Sequence, residues 1–377
     1  MRVLHVITSL DSGGAASQLG DLLRHTRHHT EVVSLTALGP VAEQIMSDGI
    51  PVTHLGMRYP ADLAVLPKLI GKIRRGRFDV VHSHLWRACL YGRFAARAAG
   101  CRTIVATEHS LSTTMVEENP FRRPGRRPAY LASERLGHMT VAVSPTVADC
   151  LIGCGVRPAR IRVIPNGIDL DRFRFDEVAR RRVREHCGID PRATVVGTAG
   201  RLVPSKFPDR VLEAVRGLPS VVLLVVGDGP ERERLGELAR RWGMAERVVF
   251  AGQCQDMGGM LAAMDVFASA SAHETFGLAV LEALANGLPT VYVHNPGLDQ
   301  LADRPVPGAH RAGPEVASVR AAIAGLLSAP RRAVLDDLAA YDIRRTATEI
   351  DSLYESLRDQ RPGGAGHHTT QPREIRV

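Results

Sequence analysis

Twice along the chain, short aliphatic and β-branched runs alternate with stretches of helical period, and this alternation restricts the fold more than any single motif. In the first half, residues 3–7, 31–35, 52–55, 79–82, 103–107 and 140–143 read as strands, with helices expected over 16–25, 60–75, 86–99 and 145–154. The second half repeats the scheme with strands at 194–198, 221–226, 248–250, 265–268 and 290–293. Strand–helix alternation of this kind implies parallel sheets covered on both faces. Two such sheets in tandem imply an α/β protein with a cleft between two doubly wound, Rossmann-like domains, and ligands at the carboxyl ends of the strands.

The 377 residues suffice for two cores. The turn signals Pro165 and Asn166-Gly167 suggest a join there. The expected division is a first domain over 1–165, a second over 166–340, an amphipathic helix within 341–360 and a disordered tail over 361–377. The net charge is +8, yet the only lysines are Lys68, Lys72 and Lys206, so the basic content is arginine. Such a bias fits GC-rich coding and a bacterial origin. It is compatible with a phosphate-bearing substrate and does not indicate nucleic-acid binding. The six cysteines show no paired metal-ligand spacing, and Cys150 and Cys154 fall on a helical pattern that suits a core. Residues 3–7 are too short for a secretory signal, and no run approaches the ~18 apolar residues of a spanning helix. A reduced, cytoplasmic setting is expected.

The chemistry concentrates at residues 270–289. After the strand at 265–268 comes a turn carrying Glu274, then Gly277 where a helix opens, then Glu282 about one turn inside it, with Gly287 as the stop. Unpaired amides at the helix start, with the positive end of its dipole, suit an anion such as a diphosphate. Carboxylates beside those donors suit hydroxyls, so a nucleotide-sugar fits both. Glu274 and Glu282 form the pattern E-x7-E within HETFGLAVLEALANGLP, residues 273–289. This closely resembles the retaining glycosyltransferases of family four, also described as glycosyl transferases group 1, whose fold is called GT-B.

Further segments extend the resemblance across roughly residues 1–358. Gly200-Arg-Leu-Val-Pro-Ser-Lys206 resembles the family's G-R-L-x-x-x-K, in which Arg201 and Lys206 would hold the donor diphosphate. Two fixed cations there would do the electrostatic work of a metal ion; the plain reading is a solvated turn. Phe207 stands where many relatives carry glycine. The paired glycines Gly13 and Gly14 allow close approach to a phosphate, and equally suit a plain tight turn. They lack the spacing of a dinucleotide or P-loop fingerprint. Residues 225–231, Val-Val-Gly-Asp-Gly-Pro-Glu, are assigned to architecture. Gln253 follows a strand where relatives hold the nucleobase, and His109 resembles the family's cleft histidine. His82 and His84 alternate with Ser83 and so face one way; a metal would need a further ligand, which leaves packing or acceptor contacts. Asp169 and Asp171 resemble a D-x-D metal motif and are read as a solvated linker. Residues 121–128 form a basic, proline-broken loop. It is read either as an exposed loop or as a dock for an anionic acceptor or the inner membrane face through Arg122, Arg123, Arg126 and Arg127. Residues 295–300 depart from the family's Gly-Gly-x-x-Glu turn, which puts donor contacts there in question.

The resemblance implies transfer of a sugar, UDP-linked by expectation, to an acceptor hydroxyl on a glycan, lipid-linked intermediate or secondary metabolite, with retention and without metal or cofactor. Arg201, Lys206, Glu274 and His109 would serve catalysis. Gly13, Gly14, Phe276, Gly277, Leu278, Glu282 and Gln253 would bind the donor. A GT-B epimerase or phosphorylase, and a non-catalytic scaffold of the same fold, remain alternatives.

Overall fold

The computed structural model describes residues 1–11, 13–109, 115–116, 119–120, 125–301, 306–328, 332 and 337–359. Arg122, Arg123 and the tail 361–377 therefore lie outside the described residues. A seven-stranded parallel sheet comprises β1 (Arg2–Ile7), β2 (His29–Ser34), β3 (Val52–His54), β4 (Val80–His84), β5 (Thr103–Glu108), β8 (Met139–Ala142) and β9 (Ile161–Val163). The short strands β6 (Met115–Val116) and β7 (Asn119–Pro120) pair with each other. A six-stranded parallel sheet follows, made of β10 (Thr194–Ala199), β11 (Val221–Val226), β12 (Val248–Gly252), β13 (Val266–Ser269), β14 (Thr290–Tyr292) and β15 (Ala309–Arg311). Strands such as β11, Val-Val-Leu-Leu-Val-Val, are apolar throughout because both faces of the sheet are covered.

Strand order decides where a ligand can go. The first sheet runs β3-β2-β1-β4-β5-β8-β9 and the second β12-β11-β10-β13-β14-β15. In each, the direction of winding reverses between two central strands, β1 and β4 in the first and β10 and β13 in the second. Connections leave those pairs to opposite sides and open a crevice at their carboxyl ends. The turns after β1, β10 and β13 carry Gly13-Gly14, Arg201 with Lys206, and Glu274, and β4 ends on His84.

Most expected elements are present, and the differences have local causes. The helix expected from residue 60 begins only at Val65, because the Asp62 carboxylate accepts from the amides of Arg58 and Ala64 and organises a turn there. Of the loop expected over 121–128, residues 121–124 lie outside the described residues, and 126–128 belong instead to a helix, Arg126–Glu134, opened by Gly125 at φ 85°. Helix Pro40–Ser47 and the edge strands β9 and β15 were not expected. Cys150 and Cys154 are buried in one apolar core, where burial pushes both thiols up.

The last helix, Ile343–Asp359, lays Ile343, Ala347, Ile350, Leu353 and Tyr354 into the core under the first sheet, beside Leu19, Leu22 and Leu23. Asp351 fixes it by accepting from Thr26 Oγ1 at 2.7 Å and the Arg27 amide at 3.1 Å. The chain leading into it pairs with the linker, Ile168 donating to Tyr341 O and Ile343 to Ile168 O. Asp171, read as a solvated linker residue, is ion-paired to Arg344 in this helix at 2.6 Å.

The segment 225–231 has the architectural part assigned to it. Gly227, at φ 121°, lies so close to the turn after β10 that a Cβ would stand 2.0 Å from Gly200 O; at Gly229 a Cβ would stand 2.4 Å from Leu202 O. The obstacles are backbone atoms, which cannot rotate away. Gly227→Ala is therefore expected to cost about 2 kcal/mol or more, read from urea unfolding. An unchanged midpoint would show that the turn bearing Arg201 has room to move.

Candidate active site

Lys206 ends the turn after β10, and its Nζ lies 2.6 Å from Glu274 Oε1 in the turn after β13. Lys206 keeps 37% of its side-chain surface and Glu274 only 12%. The pair thus sits at the rim of the crevice with the carboxylate on the inner side. Phe207, the departure from glycine, adopts φ 50° and ψ 48°, the left-handed conformation a glycine would take. The loop shape is therefore kept at a cost of about 1 kcal/mol. The Arg210 guanidinium covers the Phe207 ring at 3.9 Å and fixes it. Arg201 is exposed on the same turn as Lys206.

The turn after β13 is braced from both sheets. Thr275 Oγ1 donates to His109 O at 2.6 Å, and Thr275 O accepts from Ser144 Oγ at 2.7 Å, so the Glu274 loop is tied to the first sheet on both sides of one residue. Phe276 is buried, edge-on to Tyr341. Gly277, at φ 92°, opens helix Leu278–Ala285 without a side-chain cap, which leaves the first amides without intrahelical partners. A Cβ on Gly277 would collide with Asn295 Nδ2, which donates to Gly277 O at 2.9 Å. Residues 295–300 therefore buttress this turn, with Gly297 donating to Phe276 O. Asn295 was missed because its role is to hold backbone, though Asn-Pro does signal a cap and first helical residue.

Across the crevice, helix Gly14–His25 also starts on glycine, with Gly13 at φ 117° and no side-chain cap. A Cβ on Gly14 would stand 3.3 Å from Leu278 Cδ1. Two uncapped helix starts thus converge, one from each sheet, and their dipoles favour a common anion.

One turn inside the second helix, burial pushes the Glu282 carboxyl up to about 7; Asp21 adds to the rise and Arg172 opposes it. Arg172 joins three parts of the chain. Its Nη1 lies 3.2 Å from Asp21 Oδ1 and its Nη2 donates to Gln255 O at 3.3 Å. Neither Arg172 nor Asp21 was picked out from sequence, because their meeting depends on how the two sheets dock. Gln253 is exposed just past β12.

His109 follows β5 and is buried with His5, His82 and His84. Ring nitrogens of His5, His82 and His84 lie within 4.8 Å of one another, which supplies the third potential metal ligand that sequence did not identify. Five of their six ring nitrogens nonetheless have hydrogen-bond partners. His5 Nδ1 faces His84 Nε2 at 3.0 Å, and His82 engages Tyr354 OH and Thr107 Oγ1. Burial holds all four imidazoles below their ordinary value, so they are neutral.

Of the basic residues read as a docking loop, Arg126 stacks on Trp86 at 5.6 Å and Arg127 donates to Cys154 O at 3.1 Å. Both belong to a helix and are engaged with their own fold. No helix among the described residues is long and apolar enough to cross a membrane.

Residues 12–172 match the family described as Glycosyltransferase Family 4, and residues 179–341 match Glycosyl transferases group 1. The D-inositol 3-phosphate glycosyltransferase of Mycobacterium marinum is 34% identical over 269 residues, 67% of this chain and 56% of that protein. The chain thus spans little more than half the length of that relative. Among solved structures, HepE of Anabaena in complex with UDP and glucose shares the fold at a TM-score of 0.75 and 23% identity, covering 96% of this chain and 98% of its own. Sucrose-phosphate synthase of Thermosynechococcus elongatus gives a TM-score of 0.77 at 21% identity, over 95% and 100% of the two chains. The two-lobed architecture is therefore GT-B.

Glu282 gives this site a pH signature. With its folded value raised from 4.5 to about 7, the folded protein keeps a proton that the unfolded chain has released between those limits. Stability is full below that window and falls as pH rises through it. Glu282→Gln should therefore gain on the wild type in unfolding midpoint at pH 8 relative to pH 4.5. An equal difference at both would show a carboxyl that titrates normally.

Proposed function

The chain belongs to the family-four glycosyltransferases, and on that premise we propose that it moves a sugar from a nucleoside diphosphate, UDP by preference, to an acceptor hydroxyl with retention. The observation that carries this reading is the Lys206–Glu274 pair at the mouth of two converging helix starts. A diphosphate laid there meets helix amides and takes Lys206, with Arg201, away from competing anions. Glu274 is then released to accept from sugar hydroxyls. Glu282 takes the ribose diol, and the Phe276-Gly277-Leu278 amides bind sugar and phosphate oxygens. His109 and the Gly13-Gly14 turn close the cleft from the other lobe, and Gln253 lies toward the base. The UDP and UDP-glucose complexes of HepE support this choice of donor.

In the reaction the bond from anomeric carbon to diphosphate oxygen breaks as the acceptor oxygen bonds that carbon on the same face. The acceptor proton passes to the departing diphosphate oxygen. Charge grows on the leaving group, so cations fixed beside it stabilise the transition state more than the ground state. We assign that work to Lys206 and Arg201, with no metal ion required.

The test is turnover of UDP-sugars with a panel of acceptors that includes D-inositol 3-phosphate, followed by mass spectrometry. Lys206→Ala should lower turnover by ~10²-fold with an unchanged unfolding midpoint, and chelation of divalent ions should leave the wild type unaffected. Unchanged turnover in the variant would remove its diphosphate role. An epimerised donor or a sugar phosphate as product would favour the other GT-B chemistries, and absence of UDP binding would favour a scaffold.

A further inference from the structure

Beneath the site, histidines from three adjacent strands form a hydrogen-bonded line. His5 is on β1, His84 on β4, and His109 follows β5. His5 Nδ1 and His84 Nε2 are 3.0 Å apart, and His84 Nδ1 and His109 Nε2 are 3.3 Å apart. Leu85, at φ 72°, turns the chain immediately after His84 and donates to Thr107 O. At the far end, His109 Nδ1 is buried with no partner among the described residues.

A neutral imidazole has one N–H and one lone pair, so His84 must donate at one link and accept at the other. The two links therefore share one direction. If His84 donates through Nε2 to His5, it accepts at Nδ1 from His109 Nε2–H, and His109 Nδ1 is a bare lone pair. In the reverse direction His109 Nδ1 carries an N–H with no acceptor among the described residues. The first direction places the other end's N–H on His5 Nε2, which, unlike His109 Nδ1, is not among the nitrogens shut off from both solvent and a partner. A buried orphan N–H is rarer and costlier than an under-used acceptor, which selects the first arrangement.

We propose that His5 and His84 are positioning residues that lock His109 in the Nε2–H tautomer, so that its Nδ1 accepts from a hydroxyl of the bound sugar. This rests on the donor-sugar reading of His109, which Thr275 ties to the Glu274 loop. Partners that orient a metal-bound histidine are worth roughly 10- to 100-fold; taking the lower end by analogy, loss of the lock should slow transfer while sparing the nucleotide.

The experiment is a long-range proton–nitrogen correlation spectrum of the full chain with ¹⁵N-labelled histidine, read without ligand and with a UDP-sugar. His109 is expected as a single Nε2–H tautomer whose Nδ1 resonance moves when the sugar nucleotide binds, and does not move with UDP alone. In His5→Phe, His84 and His109 should show mixed tautomers, with kcat reduced about tenfold and the UDP Kd unchanged. A His109 Nδ1–H tautomer in the wild type would overturn the proposal, as would unaltered tautomers in a folded His5→Phe. Should that variant not fold, the wild-type spectrum alone decides. If no sugar nucleotide binds while the wild type shows Nε2–H, the functional reading fails and the tautomer lock stands.

Discussion

The ion pair between Lys206 and Glu274 is the contact around which the site is arranged. It joins the turns after the two central strands of the second sheet, so its 2.6 Å spacing records how closely those turns approach. A pair this exposed adds about 1 kcal/mol or less to stability. Its value lies elsewhere. Each partner has a natural alternative, an anion for the lysine and a hydroxyl for the carboxylate, so a ligand bearing both can replace one internal contact with two external ones. On the proposed reading, the energy of that exchange goes to binding and orienting a donor, since little folding energy is lost in breaking the pair.

The exchange needs a scaffold that keeps the two turns and the facing lobe in register. Three devices supply it. Gly227 and Gly229 press their bare backbones against the turn after β10, Asn295 holds Gly277 from behind, and Thr275 bonds to the first lobe through His109 O and Ser144 Oγ. Arg172, in the linker, adds a charged contact between Asp21 and Gln255 O. Reach across the crevice therefore comes from short polar contacts at the same residues that border the site. A shift of one lobe against the other would alter the site directly.

The sequence discloses what local physics controls. Parallel strands buried on both faces announce themselves as apolar runs, so β1, β10 and β11 are plain on inspection. The edge strands β9 and β15 are short and half exposed, and leave no such run. Within the site, Glu274, Gly277 and Lys206 carry a signal because they lie in one loop motif each. His5, Arg172 and Asn295 lacked one. Strand order brings His5 beside His84, lobe docking brings Arg172 to Asp21, and Asn295 acts on backbone whose conformation sequence does not display. Phe207 was readable as a departure, yet only its φ shows that the loop keeps its shape despite the side chain.

If a diphosphate displaces the internal ion pair, the most direct measurement is a crystal structure with UDP bound. The account predicts the phosphates between Gly14 and the Gly277–Leu278 amides, with Lys206 turned from Glu274 onto a phosphate oxygen. Phosphates bound away from these helix starts, or seated there with Lys206 still paired to Glu274, would contradict it.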